Sequence, residues 1–456
     1  MNVAVSTSVP VAARLATFAA EASPSAAATA VCRRLLFDIV ALAIAARDTD
    51  YVQAALGSAV DDGSCTALGH VRKLGLYDAA LVNGTAAHGE DYDDTFEGGP
   101  IHAGAAIVSA VLAIAEKRGL DGRAVMRGIA VGTELMCRMS LVAPQATHKA
   151  GFHPTAIFGA PGAAAAVGAA LGLDNGAIAR ALGISGSLAS GIIEYLADGS
   201  STKRLHAGAA AQAGIRAALL AEGGFTGPVT VFDGTHGMYK AFAPSKAPDF
   251  SHLVDSLGKE WILETLAFKP YACGTMTQPF IDCALKLAAS GVKADEIVSM
   301  SCNVGEGTVH RLWEPLMEKH RPPNGYAGKF STPYCIAVAL LDGEAGLGQF
   351  TDERVLDPAV RALAAKVSYE IDPNDPYPKN FTGHIRAVLK DGSVREVHQP
   401  HMRGGVHAPL SDEELLAKFE ANLRFSGLTS GRIETLRTAL GAIADGGRVD
   451  LSAARP

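Results

Sequence analysis

Apolar residues recur at helical spacing along most of this chain. Residues 23–46 (SPSAAATAVCRRLLFDIVALAIAA) predict a helix, with Ser23 able to cap it and Pro24 suited to its first position. Residues 51–60, 78–88, 105–117 and 122–140 predict four more, and Asp61-Asp62-Gly63 breaks the first of these. From 155 to 222 the texture is Ala/Gly-rich, with helices expected at 162–171, 175–187 and 206–221. Glycine is a poor helix former, so its density here predicts helices whose backbones touch. The period then changes to two at 297–304 and 366–371. Residues 385–397 hold Lys390-Asp391-Gly392 between two alternating runs, a hairpin signal. Helices are expected between these strands at 277–290 and 331–341, and after them at 432–444 and behind the capping box Ser411–Glu414. The pattern predicts a mainly α protein. A large all-helical domain (1–268, completed by 401–456) carries a smaller α+β domain (269–400).

Composition narrows the function more than the fold. The 456 residues are 48% hydrophobic but only 6% aromatic, with 49 glycines, which suits close helix packing. A net charge of −7 leaves no basic footprint for nucleic acid or an anionic membrane. The longest uncharged run, 152–173, is long enough to span a bilayer but weakly apolar, so it reads as a buried small-residue helix. Seven dispersed cysteines without a C-x-x-C argue against zinc and iron–sulfur sites and for a reducing compartment. The N-terminus shows no leader pattern, and a soluble cytoplasmic protein is expected.

Five stretches concentrate chemistry. Residues 88–102 (HGEDYDDTFEGGPIH) place Glu90, Asp91, Asp93 and Asp94 between two histidines, just before a strongly apolar helix. Charge stacked there is either a solvated loop capping that helix or a site in which Asp91 acts as a base or orients a histidine. His153, held extended by Pro154 ahead of a buried helix, reads as an anion-binding or proton-shuttling group, or as a core histidine bonded to a carbonyl. Lys203 and Arg204 follow a polar turn and suit carboxylate or phosphate recognition, or are a solvated basic pair. Lys269, in the apolar run FKPYACG at the expected domain boundary, is either a cleft cation or a snorkelling surface lysine. Its neighbour Cys273 reads as structural. Tyr334, in KFSTPY, offers a phenol for proton donation, although a lone tyrosine there is ordinarily core. No G-x-S-x-G, Walker loop, dinucleotide fingerprint or H-E-x-x-H is present, so chemistry on side chains alone is expected.

In order along the chain, HGEDYDDT (88–95), GFHPTAIFGAPGAAAA (151–166), ALGISGSLASGIIEYLADGSSTKRLHAGAAAQAG (181–214), GFTGP (224–228), KPYACG (269–274), KFSTPYCIAVALLDG (329–343) and LSDEELLAKF (410–419) resemble the MmgE/PrpD family. The resemblance implies a helical domain built from both chain ends, an α+β lid, a homodimer, no metal and no cofactor. It implies acid–base chemistry on a small di- or tricarboxylic acid. Matched by motif, the site residues are Asp91, Thr95, His102, His153, Lys203, Lys269 and Tyr334. Where the family often has a histidine directly after DDT, followed by His-Pro-Ser, this chain reads FEGGPIHAG (96–104), which adds Glu97 to the acidic segment and bears on substrate choice.

A carbon acid beside a carboxylate needs concentrated positive charge to stabilise its anion. Lys203 and Lys269, one from each domain, are expected to clamp substrate carboxylates, with Thr95 also in contact. His102, oriented by Asp91, or His153 would move the proton, and Tyr334 or the other histidine would act as the acid. The first reading is a hydro-lyase (dehydratase) on a 2-methylcitrate-like hydroxy acid. The alternatives are an isomerase or epimerase of an iminodisuccinate-like dicarboxylate, a cis-aconitate-type decarboxylase, and a non-catalytic carboxylate-binding protein.

Overall fold

The computed structural model describes residues 9–456; the first eight, part of the stretch behind the no-leader expectation, lie outside it. The chain divides into two compact units. Among the described residues, the first comprises 9–89, Gly98–Leu266 and Leu428–Pro456, and the second Glu90–Glu97 and Ala267–Gly427.

The helical unit is built around Leu76–Gly89, Ala103–Arg118, Gly122–Val142, Pro154–Leu171 and Thr202–Glu222, which pack against one another. Pro154–Leu171 is long and apolar enough to cross a membrane, but 94% of it is buried inside the protein. It therefore serves as a core helix. The glycine-rich texture does what its composition predicts. A Cβ on Gly208 would lie 2.1 Å from the Leu81 carbonyl oxygen, and one on Gly84 would lie 2.6 Å from the Gly208 Cα. Thr202–Glu222 and Leu76–Gly89 thus cross with their backbones in contact, and no larger residue fits at the crossing.

A buried ion pair ties an irregular stretch to this core. Glu134 and Arg138, one turn apart on Gly122–Val142, are 2.6 Å apart and almost fully buried. The Arg138 guanidinium also donates to the carbonyls of His252, Asp255 and Glu260, and Glu134 accepts the Leu263 N–H. Residues 252–263, which have little regular structure of their own, gain their polar partners from that pair.

The second unit holds a four-stranded sheet in the order Val367–Ile371, Ile297–Val304, Gly383–Leu389, Val394–Gln399. The first pairing is parallel and the other two are antiparallel. The hairpin turns at Gly392, whose φ of 84° suits glycine. Buried and exposed positions alternate along Gly383–Leu389, and Gln278–Ala289 packs on this part of the sheet.

Several element assignments differ from expectation. The capping box at Ser411 opens Asp412–Phe425 as predicted, but that helix belongs to the second unit, not to the helical body. Pro154–Leu171 begins eight residues earlier than the periodicity suggests because Pro161 lies inside it, fully within the core. Val11–Glu21 is a helix that the sequence reading missed. Val11, Leu15 and Phe18 fall at helical spacing there and are buried.

Candidate active site

The helical unit gathers four imidazoles. His88 lies in the last turn of Leu76–Gly89. His102 and His153 are the residues directly before Ala103–Arg118 and Pro154–Leu171, both with extended backbone. His206 lies in the first part of Thr202–Glu222. Ring centroids are 5.0 Å apart for His102–His88, 5.7 Å for His88–His153 and 5.2 Å for His153–His206. All four side chains are buried. Tyr195 sets its ring edge-on to both His153 and His206.

Local structure explains the placement. Pro154 takes the first helical position and keeps His153 out of the helix. The His153 N–H is bound by the Gly191 carbonyl at 2.9 Å, and the His102 N–H by Thr155 Oγ1 at 3.1 Å. The Gly84–Gly208 crossing carries His88 and His206 on the two touching helices, each within about one turn of the contact. His153 and His206 meet through Nδ1 atoms 3.0 Å apart.

Burial pushes the His153 imidazole well below its ordinary range, and His88, Lys203, His206 and His102 push it further. Burial likewise pushes His206 down to about 4, assisted by His88 and Lys203. Both rings are therefore neutral bases at physiological pH. An unfolded histidine binds its proton near pH 6.5. The folded chain binds fewer protons than the unfolded one between that pH and its own depressed values, so stability falls with acidification. His206 therefore contributes a loss of stability as the pH is lowered from about 6.5 toward about 4, and His153 acts in the same direction. Thermal unfolding should show a falling midpoint across that window, with the fall reduced in His206→Asn. A midpoint flat across the window in the parent protein would contradict these shifts.

Lys203 and Arg204 lie within Thr202–Glu222, in its first turn, and not on a turn before it. Cations are disfavoured by the dipole at a helix start, which is why the sequence places the boundary too late. Arg204 is structural. It stacks 4.5 Å over the Tyr51 ring and donates to the Gly89 carbonyl. Lys203 acts electrostatically on His153 and His206, so a cation, a helix N-terminus and neutral imidazoles share one region.

The acidic segment belongs to the other unit, and three buried lysines pin it there. Lys329 donates to the Glu90 carbonyl and pairs with its carboxylate, each at 2.9 Å. Lys269 donates to the Asp91 carbonyl at 2.8 Å and to its Oδ1 at 3.0 Å. Lys418 donates to the Tyr92 carbonyl at 2.9 Å and sits 4.0 Å over that ring. Three successive carbonyls thus receive three ammonium groups. Asp91 holds a left-handed φ of 53°, a conformation that aspartate tolerates better than most residues. Asp93 and Asp94 are fully buried, and Thr95 is buried in the short strand Thr95–Phe96.

Three of the expected site residues have protein partners in the second unit. Lys269, expected to clamp substrate, is completely buried and paired with Asp91. Asp91, expected to orient His102, gives Oδ1 to Lys269. Tyr334, expected as a proton donor, is fully buried and its hydroxyl donates to the Gln349 carbonyl at 2.5 Å, while burial pushes its phenol up. Cys273 is likewise buried, with its Sγ 3.0 Å from Thr277 Oγ1. The sequence reading left His88, Tyr195 and His206 out of the site. The signals were present in HGEDYDDT and TKRLHAG, where a histidine stands beside residues already chosen.

Known proteins resemble the chain over most of its length. A model of the MmgE/PrpD N-terminal domain matches residues 13–251, and one of the MmgE/PrpD C-terminal domain matches residues 271–440. Cis-aconitate decarboxylase of Aspergillus terreus is 28% identical over 395 residues, covering 81% of this chain and 79% of that protein. Cis-aconitate decarboxylase of Homo sapiens is 30% identical over 359 residues, covering 75% and 72%. The mitochondrial 2-methylcitrate dehydratase of Yarrowia lipolytica is 26% identical over 251 residues, covering 52% and 47%.

Proposed function

Because this chain belongs to the MmgE/PrpD family, we propose that it is a lyase that decarboxylates a small unsaturated tricarboxylic acid of the cis-aconitate type. The observation that carries the proposal is the file of buried imidazoles beside Lys203. The decarboxylase relatives, aligned over about four-fifths of the chain, favour this reading over the dehydratase that the sequence alone put first.

Lys203, in the first turn of Thr202–Glu222, holds a retained carboxylate of the substrate. The bond to the leaving carboxylate breaks, carbon dioxide departs, and the electron pair passes into the adjacent unsaturated system. One proton must then reach carbon. A neutral imidazole beside a bound polyanion gains basicity, so substrate binding draws a proton onto the cluster. His153, or His102 across the ring of His88, delivers that proton. The buried setting favours a step in which the substrate loses negative charge. Dehydration of a hydroxy acid is the second reading, supported by the Yarrowia lipolytica match; there the same imidazoles take the carbon-bound proton and protonate the leaving hydroxyl.

The test is to incubate the protein separately with cis-aconitate and with 2-methylcitrate. Release of carbon dioxide and an unsaturated dicarboxylate from the first is the expected result. New ultraviolet absorbance from the second, with the first untouched, would replace decarboxylation by dehydration. Solvent deuterium appearing beside a carboxylate of a dicarboxylate, without net turnover of either acid, would point to an epimerase instead.

A further inference from the structure

We propose that His206 is a positioning residue that holds His153 in the tautomer opposite to its own. The two Nδ1 atoms are 3.0 Å apart, and both side chains are buried. A hydrogen bond between two ring nitrogens needs one N–H and one lone pair. If both rings carried their proton on Nε2, two lone pairs would face each other across that distance. If both carried it on Nδ1, two hydrogens would collide. The neutral pair therefore holds opposite tautomers: one ring is protonated at Nδ1, the other at Nε2.

The consequence appears at the far side of each ring. The ring that donates through Nδ1 has a bare Nε2, which is a base. Its partner keeps a hydrogen on Nε2, which is a donor. Two chemically identical side chains thus become a distinct acceptor and a distinct donor. The roles can exchange without change of net charge. A proton arrives at the bare Nε2, the Nδ1 proton crosses to the other Nδ1, and the second ring releases its Nε2 proton. One proton enters and one leaves.

The surroundings hold this geometry in place. Gly191 binds the His153 N–H through its carbonyl at a φ of 138°, and a Cβ there would lie 2.6 Å from the Ala156 Cβ and 3.3 Å from two His206 ring atoms. His88 stacks on His153, Tyr195 closes against both rings, and Lys203 and His102 add their fields. With burial excluding solvent, each Nδ1 has the other as its partner.

The role in turnover rests on the acid–base reading above; the tautomer assignment does not. The decisive measurement is the nitrogen NMR spectrum of the full chain with labelled histidine, at a pH near neutrality. His153→Gln and His206→Asn identify the two rings. One ring with a protonated Nδ1 and one with a protonated Nε2, joined by scalar coupling across the N–H···N bond, is expected. Both rings protonated at Nε2 without coupling would overturn the proposal. In turnover, His206→Leu should lower kcat by about a hundredfold with little change in KM, and should reshape the pH profile. His206→Asn, whose amide can still meet His153 Nδ1, should recover most of that loss. Equal kcat in both variants, at equal thermal stability, would show that His206 only fills space.

Discussion

Replacing His153 with phenylalanine is expected to lower turnover by about 10²–10⁴-fold, the range for losing a general acid–base group. Phenylalanine keeps the ring volume, the contact with His88 and the edge of Tyr195, and removes both nitrogens. It preserves the backbone hydrogen bond to Gly191 and the proline-started helix behind it. The fold should therefore survive. The variant leaves His206 Nδ1 without its partner, which costs about 1–3 kcal/mol. The measurement is kcat on whichever acid the protein consumes, together with the thermal midpoint. Turnover within about threefold of the parent would remove His153 from the chemistry and leave His102 or His88 as the proton carrier.

Replacing Lys269 with methionine is expected to destabilise the second unit by about 3–5 kcal/mol, as when one partner is removed from a buried ion pair. The Asp91 carboxylate is almost fully buried at 3.0 Å from the ammonium. Without Lys269, both that charge and the Asp91 carbonyl lose a donor, and the left-handed Asp91 backbone loses what holds it. Adding Asp91→Asn should recover much of the loss, because a neutral amide is far cheaper to bury than an unpaired carboxylate. Urea unfolding of the parent, both single variants and the double variant closes the cycle. The clamp role that the sequence suggests predicts something else: weaker substrate binding with stability untouched, and no rescue by Asp91→Asn.

Motif matching and physical reasoning agreed on which short segments matter and disagreed with the structure on what several residues do. Lys269 in FKPY reads as a cleft cation because its sequence neighbours are apolar. Its partner lies 178 positions away, in the acidic segment. Tyr334 shows the same limit, since the carbonyl it binds is on Gln349, beyond the end of its own helix. Lys329 and Lys418 were unremarkable in sequence, yet they complete the set of ammonium groups on residues 90–92.

Helix and strand periods are local properties, carried by residues a few positions apart. For that reason the mainly helical body, the four strands and the hairpin at Gly392 could all be read from the sequence alone. The same is true of the demand for close helix crossings, because glycine and alanine density is a local count. The partner of each charged or titratable group is a different matter. Hydrogen bonds and ion pairs act over about 3 Å, and which atoms come that close depends on how helices distant in sequence cross. Only the tertiary structure decided that His206 faces His153, that Arg204 serves Tyr51 and Gly89, and that the acids of residues 90–91 are neutralised by lysines far along the chain.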